Sequence, residues 1–133
     1  MIDEELHAVG REISAIAQRD PNRAAIVTSN GETITYSELE SSVDALASAF
    51  AAHGLEPGDV VAVLSTNRPE WMMSYEAALR AGLTLLPVNW HLETDDVQYV
   101  LADSGARALI AESVFAHQAR SAPDAITLRI SIG

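Results

Sequence analysis

The side chains that could carry chemistry in this sequence are few and scattered. Four histidines, His7, His53, His91 and His117, fall on different predicted elements and show no metal-ligand spacing. Cysteine is absent, which excludes disulfides, thiolate metal sites and cysteine nucleophiles. No spacing of serine, histidine and aspartate argues for a hydrolytic triad. The sequence therefore predicts no catalytic residue and no metal site.

The residues that usually hold a nucleotide triphosphate are missing too. A phosphate loop needs several glycines close together, so that backbone amides converge on the anion. The seven glycines of this chain are isolated, at positions 10, 31, 54, 58, 82, 105 and 133. All eight basic residues are arginines, so no lysine can face a phosphoryl group. We expect this chain alone not to bind ATP tightly.

Composition narrows the class of protein. With 133 residues, 48% of them hydrophobic and 20% charged, the chain is typical of one globular domain. Nineteen acidic residues against eight basic ones give a net charge of −11, which would repel DNA or RNA. The acidic N-terminus lacks the positive start of a secretory signal, and no apolar run reaches the roughly 20 residues of a membrane span. We expect a cytoplasmic protein without a nucleic-acid partner or a transmembrane segment.

The first half of the chain predicts a helix, a hairpin and a second helix. Apolar residues recur at helical spacing over residues 4–18, at Leu6, Val9, Ile13 and Ile16. Asn30-Gly31 lies between two β-prone runs and predicts a tight hairpin turn with positive φ at both positions. Thr35 and Glu38 form a capping-box pattern before a helix that ends at His53-Gly54.

From residue 60 onward, strand and helix patterns alternate. Apolar runs at 60–64, 83–88 and 108–110 are typical of strands buried on both faces, and a further strand is predicted at 126–132. Helices are predicted from 67 to Gly82, with Asn67 as the cap, from 94 to Ser104, and at 113–120. The helix from 67 to Gly82 has an apolar face that comprises Trp71, Met72, Tyr75 and Leu79. We interpret this face as part of the core in preference to the wall of an acyl tunnel. The order predicts an α/β fold, a parallel sheet flanked by helices, preceded by an N-terminal helix and a β-hairpin.

Five stretches in this order resemble the adenylate-forming superfamily, which includes acyl-CoA synthetases, nonribosomal adenylation domains and luciferases. They are residues 34–39 (ITYSEL), 54–62 (GLEPGDVVA), 67–70 (NRPE), 81–89 (AGLTLLPVN) and 94–105 (TDDVQYVLADSG). The Trp90-His91 pair that follows is most similar to bacterial fatty-acyl-CoA synthetases. The resemblance runs from about residue 12 to 115. It implies that residues 1–133 are a single partial domain, the first subdomain of the large N-terminal domain, with the remainder of the enzyme absent.

The resemblance also implies a reaction for the full-length parent. A carboxylic acid, expected to be a fatty acid, would react with ATP to an acyl-adenylate, and CoA would then displace AMP. ATP, CoA and Mg²⁺ are thus expected as cofactors of the parent, while the chain alone is expected to be inactive. Two alternatives stay open: a non-catalytic binding module that uses this subdomain by itself, and an adenylating enzyme that loads a carrier protein. A homodimer is a possible partner state, although surface left uncovered in a partial domain could cause an artificial dimer.

Two site residues follow from the same resemblance. Family members often carry "N-x-R-L" after the "P-l-N" stretch, and in some CoA-using members that arginine approaches a phosphate of CoA. Here His91 stands in the arginine's place, so a phosphate contact would be weaker and pH-dependent. The other reading of His91 is a surface-loop side chain. Trp90 could form a pocket wall, or it could pack locally as a half-buried loop aromatic, which is the favoured interpretation.

Overall fold

The computed structural model describes residues 4, 5 and 10–133. It contains five helices, α1 to α5, and six strands, β1 to β6, within the range 10–133. The helices are Glu12–Arg19, Tyr36–Ala52, Pro69–Arg80, Thr94–Asp103 and Ala116–Arg120, the last preceded by a 3₁₀ turn at Ser113–Phe115. The strands are Ala24–Val27, Thr33–Thr35, Val60–Leu64, Thr84–Pro87, Ala108–Glu112 and Leu128–Ile132.

Strands β3 to β6 form one parallel sheet in the order β4-β3-β5-β6. Val61 lies opposite Leu85 on one side and Ala108 on the other, and β6 pairs with β5 from Leu128 onward. Each connection between consecutive strands carries a helix, as parallel pairing requires. The predicted α/β class, with a hairpin ahead of the sheet, is confirmed.

Alternate residues of the central strands form two cores. Val61, Val63, Ala108 and Ile110 face α2 and α3, whereas Ala62, Leu64, Leu109 and Ala111 face α4 and Phe115. The residues of β3 from Val61 to Leu64 are all 0% exposed, so this strand is buried on both faces. The apolar runs at 60–64 and 108–110 therefore mark the central strands, as the sequence predicts.

The strand predicted at 83–88 is not buried on both faces, because β4 lies at an edge of the sheet. Thr84 and Pro87 are exposed, and Leu85 and Leu86 are half-buried. Pro87 has no backbone N–H to donate, and a proline in a sheet is found mainly at such edges. The buried residues of this stretch are Leu83 and Val88, which flank the strand.

The helix predicted over residues 4–18 is described only in parts: Glu4 and Glu5 are helical, and α1 covers Glu12–Arg19. Gly10 has a φ of 64° and accepts a hydrogen bond from Nε of Arg80 at 3.0 Å, and α1 begins two residues later, at Glu12. A Cβ at Gly10 would lie 2.6 Å from the backbone nitrogen of Arg80, so the chain turns where only glycine fits. Leu6, Val9 and His7 lie outside the described residues.

The hairpin forms as predicted, but its turn is of another type. The amide of Thr28 donates to the carbonyl of Glu32, and the amide of Gly31 donates to the carbonyl of Thr28. Gly31 alone has positive φ, at 86°, since no non-glycine residue of the described chain adopts positive φ. This is a three-residue loop with a glycine in the left-handed region, in place of the predicted two-residue turn.

The predicted capping box of α2 is present in full. The Thr35 hydroxyl accepts from the amide of Glu38 at 3.2 Å, and the Glu38 carboxylate accepts from the amide of Thr35 at 2.8 Å. These hydrogen bonds hold the pKa of Glu38 below its usual value, led by the one from the Thr35 amide. The helix runs to Ala52 and places Leu39, Val43 and Phe50 in the core.

Helix α3 corrects two predictions. Its N-cap is Arg68 and not Asn67, because the residue before Pro69 is held extended while proline takes the first helical position. Its fully buried residues are Ser74, Ala77 and Ala78, and not the large apolar residues. Small side chains let the helix pack closely against α2 and the sheet. The predicted core face lies at the margin instead: Met72 is 43% exposed, and the half-exposed rings of Trp71 and Tyr75 stack 6.2 Å apart.

One buried cation joins the three N-terminal helices. The side chain of Arg80, on α3, is 4% exposed and bonds both carboxylate oxygens of Glu40 on α2, at 3.1 and 2.8 Å. Its guanidinium also donates to the Ser14 hydroxyl of α1 at 3.1 Å, and Asp44 lies 3.6 Å away. Within the described residues, no helix has the length and apolar character needed to cross a membrane.

Candidate functional site at the carboxyl edge of the sheet

The carboxyl ends of the four parallel strands meet at one edge, where open α/β sheets bind ligands. Strand β3 leads there into Ser65, Thr66 and Asn67, and β5 ends at Glu112. Strand β4 leads into the loop that carries Trp90 and His91. The topology thus brings both predicted site residues to the ligand-binding edge of this fold.

Glu112 organises the centre of this edge. One of its oxygens accepts hydrogen bonds from the amide and the hydroxyl of Thr66, both at 2.9 Å. The other accepts from a terminal guanidinium nitrogen of Arg68 at 3.1 Å. The remaining guanidinium nitrogens of Arg68 bond the two oxygens of Glu70, both at 3.2 Å. We call Thr66, Arg68, Glu70 and Glu112 the carboxyl-edge cluster.

The hydrogen bonds of the cluster favour its charged forms. The amide of Thr66 is the main cause that lowers the pKa of Glu112, and the Thr66 hydroxyl and Arg68 add to it against the opposing effect of burial. Hydrogen bonds from Arg68 likewise lower the pKa of Glu70. One guanidinium therefore sits between two ionised carboxylates. The cluster ties the end of β3 to the end of β5 and carries a net negative charge.

The residues at the carboxyl edge of the sheet do not form a binding site for the triphosphate of ATP. Arg68, the cation at its centre, is already bound by two carboxylates, and these would repel a triphosphate. The glycines with positive φ sit singly in separate turns, so their amides do not converge on one point. Within residues 4–5 and 10–133, no three histidine or carboxylate side chains come together where they could hold a metal ion. No phosphoryl-transfer step can be derived from these side chains alone.

Trp90 and His91 form an aromatic stack on the loop after β4. The Trp90 ring lies 3.6 Å from the His91 ring and 5.7 Å from that of Phe115. Asn89 shapes the loop, since its side-chain oxygen accepts from the amide of His91 at 3.0 Å. Trp90 is 38% exposed and His91 is exposed. Trp90 thus packs locally, and His91 remains open to solvent at the edge of the sheet.

The two other described histidines lie on other elements. His53 caps the end of α2, where its Nδ1 lies 2.8 Å from the carbonyl of Ala49. His117 is on α5. Neither residue belongs to the carboxyl-edge cluster.

Two grooves flank the carboxyl edge. The larger, of about 910 Å³, lies between the hairpin and the start of α3; Val27, Asn67, Trp71 and Met72 are among its lining residues. The smaller, of about 230 Å³, lies between α5 and strands β5 and β6, with Leu109 and Ala111 among its apolar lining and with Arg120 and Arg129. Asn67, interpreted from sequence as a helix cap, thus lines the larger groove.

The carboxyl-edge cluster was missed by sequence reasoning. Its residues lie up to 46 positions apart, and only the pairing of β3 with β5 brings them together. A signal was nevertheless present, because Thr66 and Glu112 are polar residues that each follow or end a buried apolar run. In a parallel sheet such ends share one edge.

The fold and the site define an α/β domain, a four-stranded parallel sheet flanked by helices, that matches the N-terminal subdomain of adenylate-forming enzymes. The family model described as "AMP-binding enzyme" matches residues 13–132. The chain therefore belongs to the AMP-binding enzyme family and corresponds to the N-terminal part of its members.

Individual relatives agree with this assignment. The chain is 34% identical over 111 residues to the fatty acid–[acyl-carrier-protein] ligase ScoC of Streptomyces coeruleorubidus, covering 84% of this chain and 21% of that protein. It is 36% identical over 102 residues to the 3-hydroxybenzoate–CoA ligase of Aromatoleum sp. (strain CIB), covering 77% and 19%. A solved Mycobacterium tuberculosis fatty acyl CoA synthetase shares the fold, with a TM-score of 0.84 and 24% identity over 98% of this chain and 27% of that one. The chain thus spans about a fifth of the length of the curated relatives it matches.

Proposed function

We propose that this chain is the N-terminal part of an ATP-dependent acid ligase that converts a fatty acid to its acyl-CoA. Membership of the AMP-binding enzyme family carries the ligase class. Similarity to a fatty acid ligase, together with the Trp90-His91 pair, supports a fatty acid as the substrate. The 3-hydroxybenzoate–CoA ligase among the relatives favours CoA as the acceptor.

A second candidate differs only in the acceptor. ScoC, by its name, joins a fatty acid to an acyl carrier protein, so a parent that loads a carrier is the alternative. The two are separated by giving the extended protein a fatty acid, ATP and either CoA or a carrier protein with its phosphopantetheine arm. Acyl-CoA formation without carrier loading supports the proposal, and carrier loading alone supports the alternative.

ATP, Mg²⁺ and CoA are proposed as cofactors of the extended protein, and the isolated chain is proposed to be inactive. The support is the carboxyl-edge cluster, where Arg68 already serves two carboxylates, and the absence of lysine. The test is ATP–pyrophosphate exchange with the purified 133-residue chain and with the extended protein. We expect exchange only with the extended protein. Exchange by the 133-residue chain would contradict the proposal that this chain alone is inactive.

His91 is proposed to contact a phosphate of CoA. Trp90, which lies beside it, is proposed to form part of the wall of the same pocket. The ring of His91 is exposed at the carboxyl edge and is held by its stack with Trp90 at 3.6 Å. In the extended protein, H91A should raise the KM for CoA and H91R should lower it, because arginine keeps its charge and can bind phosphate at two points. Neither change should alter ATP–pyrophosphate exchange, since CoA takes no part in that half-reaction. An unchanged KM for CoA in the H91A enzyme would contradict this contact and would favour the reading of His91 as a surface-loop residue.

The homodimer and the cytoplasmic location expected from the sequence remain predictions. The same holds for residues 1–133 as one partial domain of a larger enzyme.

A further inference from the structure

The turn of the β1–β2 hairpin presents an asparagine followed by a glycine to solvent. Asn30 and Gly31 are both exposed. A Cβ built at Gly31 would meet no described atom within 4 Å apart from those of its chain neighbours, so the space beside its amide nitrogen is open. An asparagine side chain and the next backbone nitrogen are a reactive pair, because the nitrogen can attack the side-chain carbonyl carbon and close a ring.

We infer that Asn30 is a site of spontaneous deamidation. The backbone nitrogen of Gly31 loses its proton and attacks Cγ of Asn30, so that a new C–N bond forms. The bond from Cγ to Nδ2 breaks, and the side-chain nitrogen leaves as ammonia. Water then adds to one of the two carbonyls of the resulting succinimide and opens the ring to aspartate or isoaspartate. Water is the one co-reactant that these steps need.

The residue that follows each asparagine selects Asn30 among the four of this chain. All four are exposed, so exposure does not distinguish them. The other three are followed by large side chains that crowd the attacking nitrogen, in the pairs Asn22-Arg23, Asn67-Arg68 and Asn89-Trp90. Gly31 has no side chain, and its backbone reaches conformations that other residues rarely adopt. We therefore expect Asn30 to react before the other three.

The folded loop restrains both reacting groups. The amide of Gly31 donates to the carbonyl of Thr28 at 3.0 Å. The side-chain oxygen of Asn30 accepts from the hydroxyl of Thr28, and from the amide of Glu32 at 3.4 Å. The loop must therefore open before the ring can close, and exposed loops open locally at a low free energy. We expect the folded chain to react more slowly than the unfolded chain, with Thr28 as the residue that restrains it.

The two products differ in how well they fit the loop. Aspartate keeps a side-chain oxygen where Asn30 has one, so the hydrogen bonds from Thr28 and Glu32 can remain. It adds one negative charge to a chain of net charge −11, in the lining of the larger groove. Isoaspartate routes the backbone through the side-chain carbon and lengthens a tight loop by a methylene group. We expect that product to disturb the pairing of β1 with β2.

The experiment follows deamidation of the 133-residue chain by mass spectrometry, in buffer and in urea. Circular dichroism shows that the chain in buffer is folded. Fragmentation spectra of its peptides locate the mass increase that accompanies replacement of an amide by a carboxyl group, and an isoaspartate methyltransferase detects the isoaspartate product. The mass increase should appear at position 30 first, and sooner in urea than in buffer. Asn30→Gln should remove it, because glutamine would have to close a larger ring.

A matched pair of variants tests the role of the loop. Thr28→Val keeps the shape of the side chain and removes the hydroxyl that donates to Asn30, so it should move the rate in buffer toward the rate in urea. Thr33→Val makes the same exchange at an exposed position of β2 and should leave the rate in buffer unchanged.

Three results would overturn the inference. The mass increase could appear first at Asn22, Asn67 or Asn89. The folded chain could react as fast as the chain in urea, which would show that the loop does not restrain Asn30. The two valine variants could react at the same rate in buffer, which would exclude the Thr28 hydroxyl as the restraint.

Discussion

Replacing Arg80 with methionine tests how far one buried guanidinium holds the N-terminal helices together. The side chain donates to Glu40 of α2, to Ser14 of α1 and to the carbonyl of Gly10. Methionine keeps much of the aliphatic stem and removes all of these hydrogen bonds. Glu40 would keep the hydrogen bond from the Ser14 hydroxyl and the more distant charge of Arg11, but would lose both hydrogen bonds from a buried guanidinium.

The expected cost follows from the burial of the two partners. Breaking a buried ion pair by removing one member costs about 3–5 kcal/mol, because the other charge is left uncompensated. Arg80 meets this condition with 4% of its side chain exposed, whereas Glu40 is 24% exposed and keeps some contact with water. We therefore expect R80M to lower the free energy of unfolding by about 2–4 kcal/mol. R80K should lower the free energy of unfolding by less than R80M, because lysine keeps the positive charge. Some stability should still be lost, since an ammonium group cannot bond both oxygens of Glu40 in one plane.

Urea denaturation followed by circular dichroism measures the effect, read as a shift of the midpoint at constant slope. Arg19→Met is the matched control, because Arg19 is exposed at the end of α1 and should change stability by less than about 0.5 kcal/mol. The double variant with Glu40→Gln should cost less than the sum of the single changes, since the two residues share one interaction. An R80M chain as stable as the R19M chain would refute the reasoning, because the guanidinium would then hold nothing together.

Two further predictions concern local hydrogen bonds. Thr35→Ala removes the side-chain cap of α2 and should lower the free energy of unfolding, measured in urea, by about 1 kcal/mol. Thr35→Ser keeps a hydroxyl and should retain most of that stability. Equal stability of the two variants would contradict the capping role of Thr35. Glu112 has a pKa below its usual value of 4.5 in the folded chain, so the stability it provides is complete above pH 4.5 and is lost as the pH falls through its folded pKa. Thermal unfolding at falling pH should therefore show a shallower loss of stability for Glu112→Gln than for the wild type, and parallel curves would show that the Thr66 and Arg68 hydrogen bonds add no acid dependence.

Much of the fold could be predicted from local patterns because several of its elements are specified by neighbouring residues. The capping box joins residues three positions apart, and the helix ends at Gly54, Gly82 and Gly105 depend on one residue type that adopts positive φ without strain. The order of elements then implied a parallel sheet. These features need no knowledge of what packs against them.

The candidate site could be predicted only in part. The resemblance drew attention to Trp90 and His91, and the structure places both on the loop after β4, at the carboxyl edge of the sheet. The cluster around Glu112 depends on hydrogen bonds between residues 44 and 46 positions apart, and no local pattern encodes such a pairing. Its discovery required the order of strands in the sheet.

The sequence by itself determined where strands and helices form, because periodicity, caps and glycines act within a few residues. Tertiary structure alone decided which surfaces those elements bury. It placed β4 at an edge, turned the small residues Ala77 and Ala78 of α3 into the core, and set Gly10 in close contact with the backbone of Arg80. The physical reason is that burial and close packing depend on which residues meet in space, and the strand order that brings them together cannot be read from spacing along the chain.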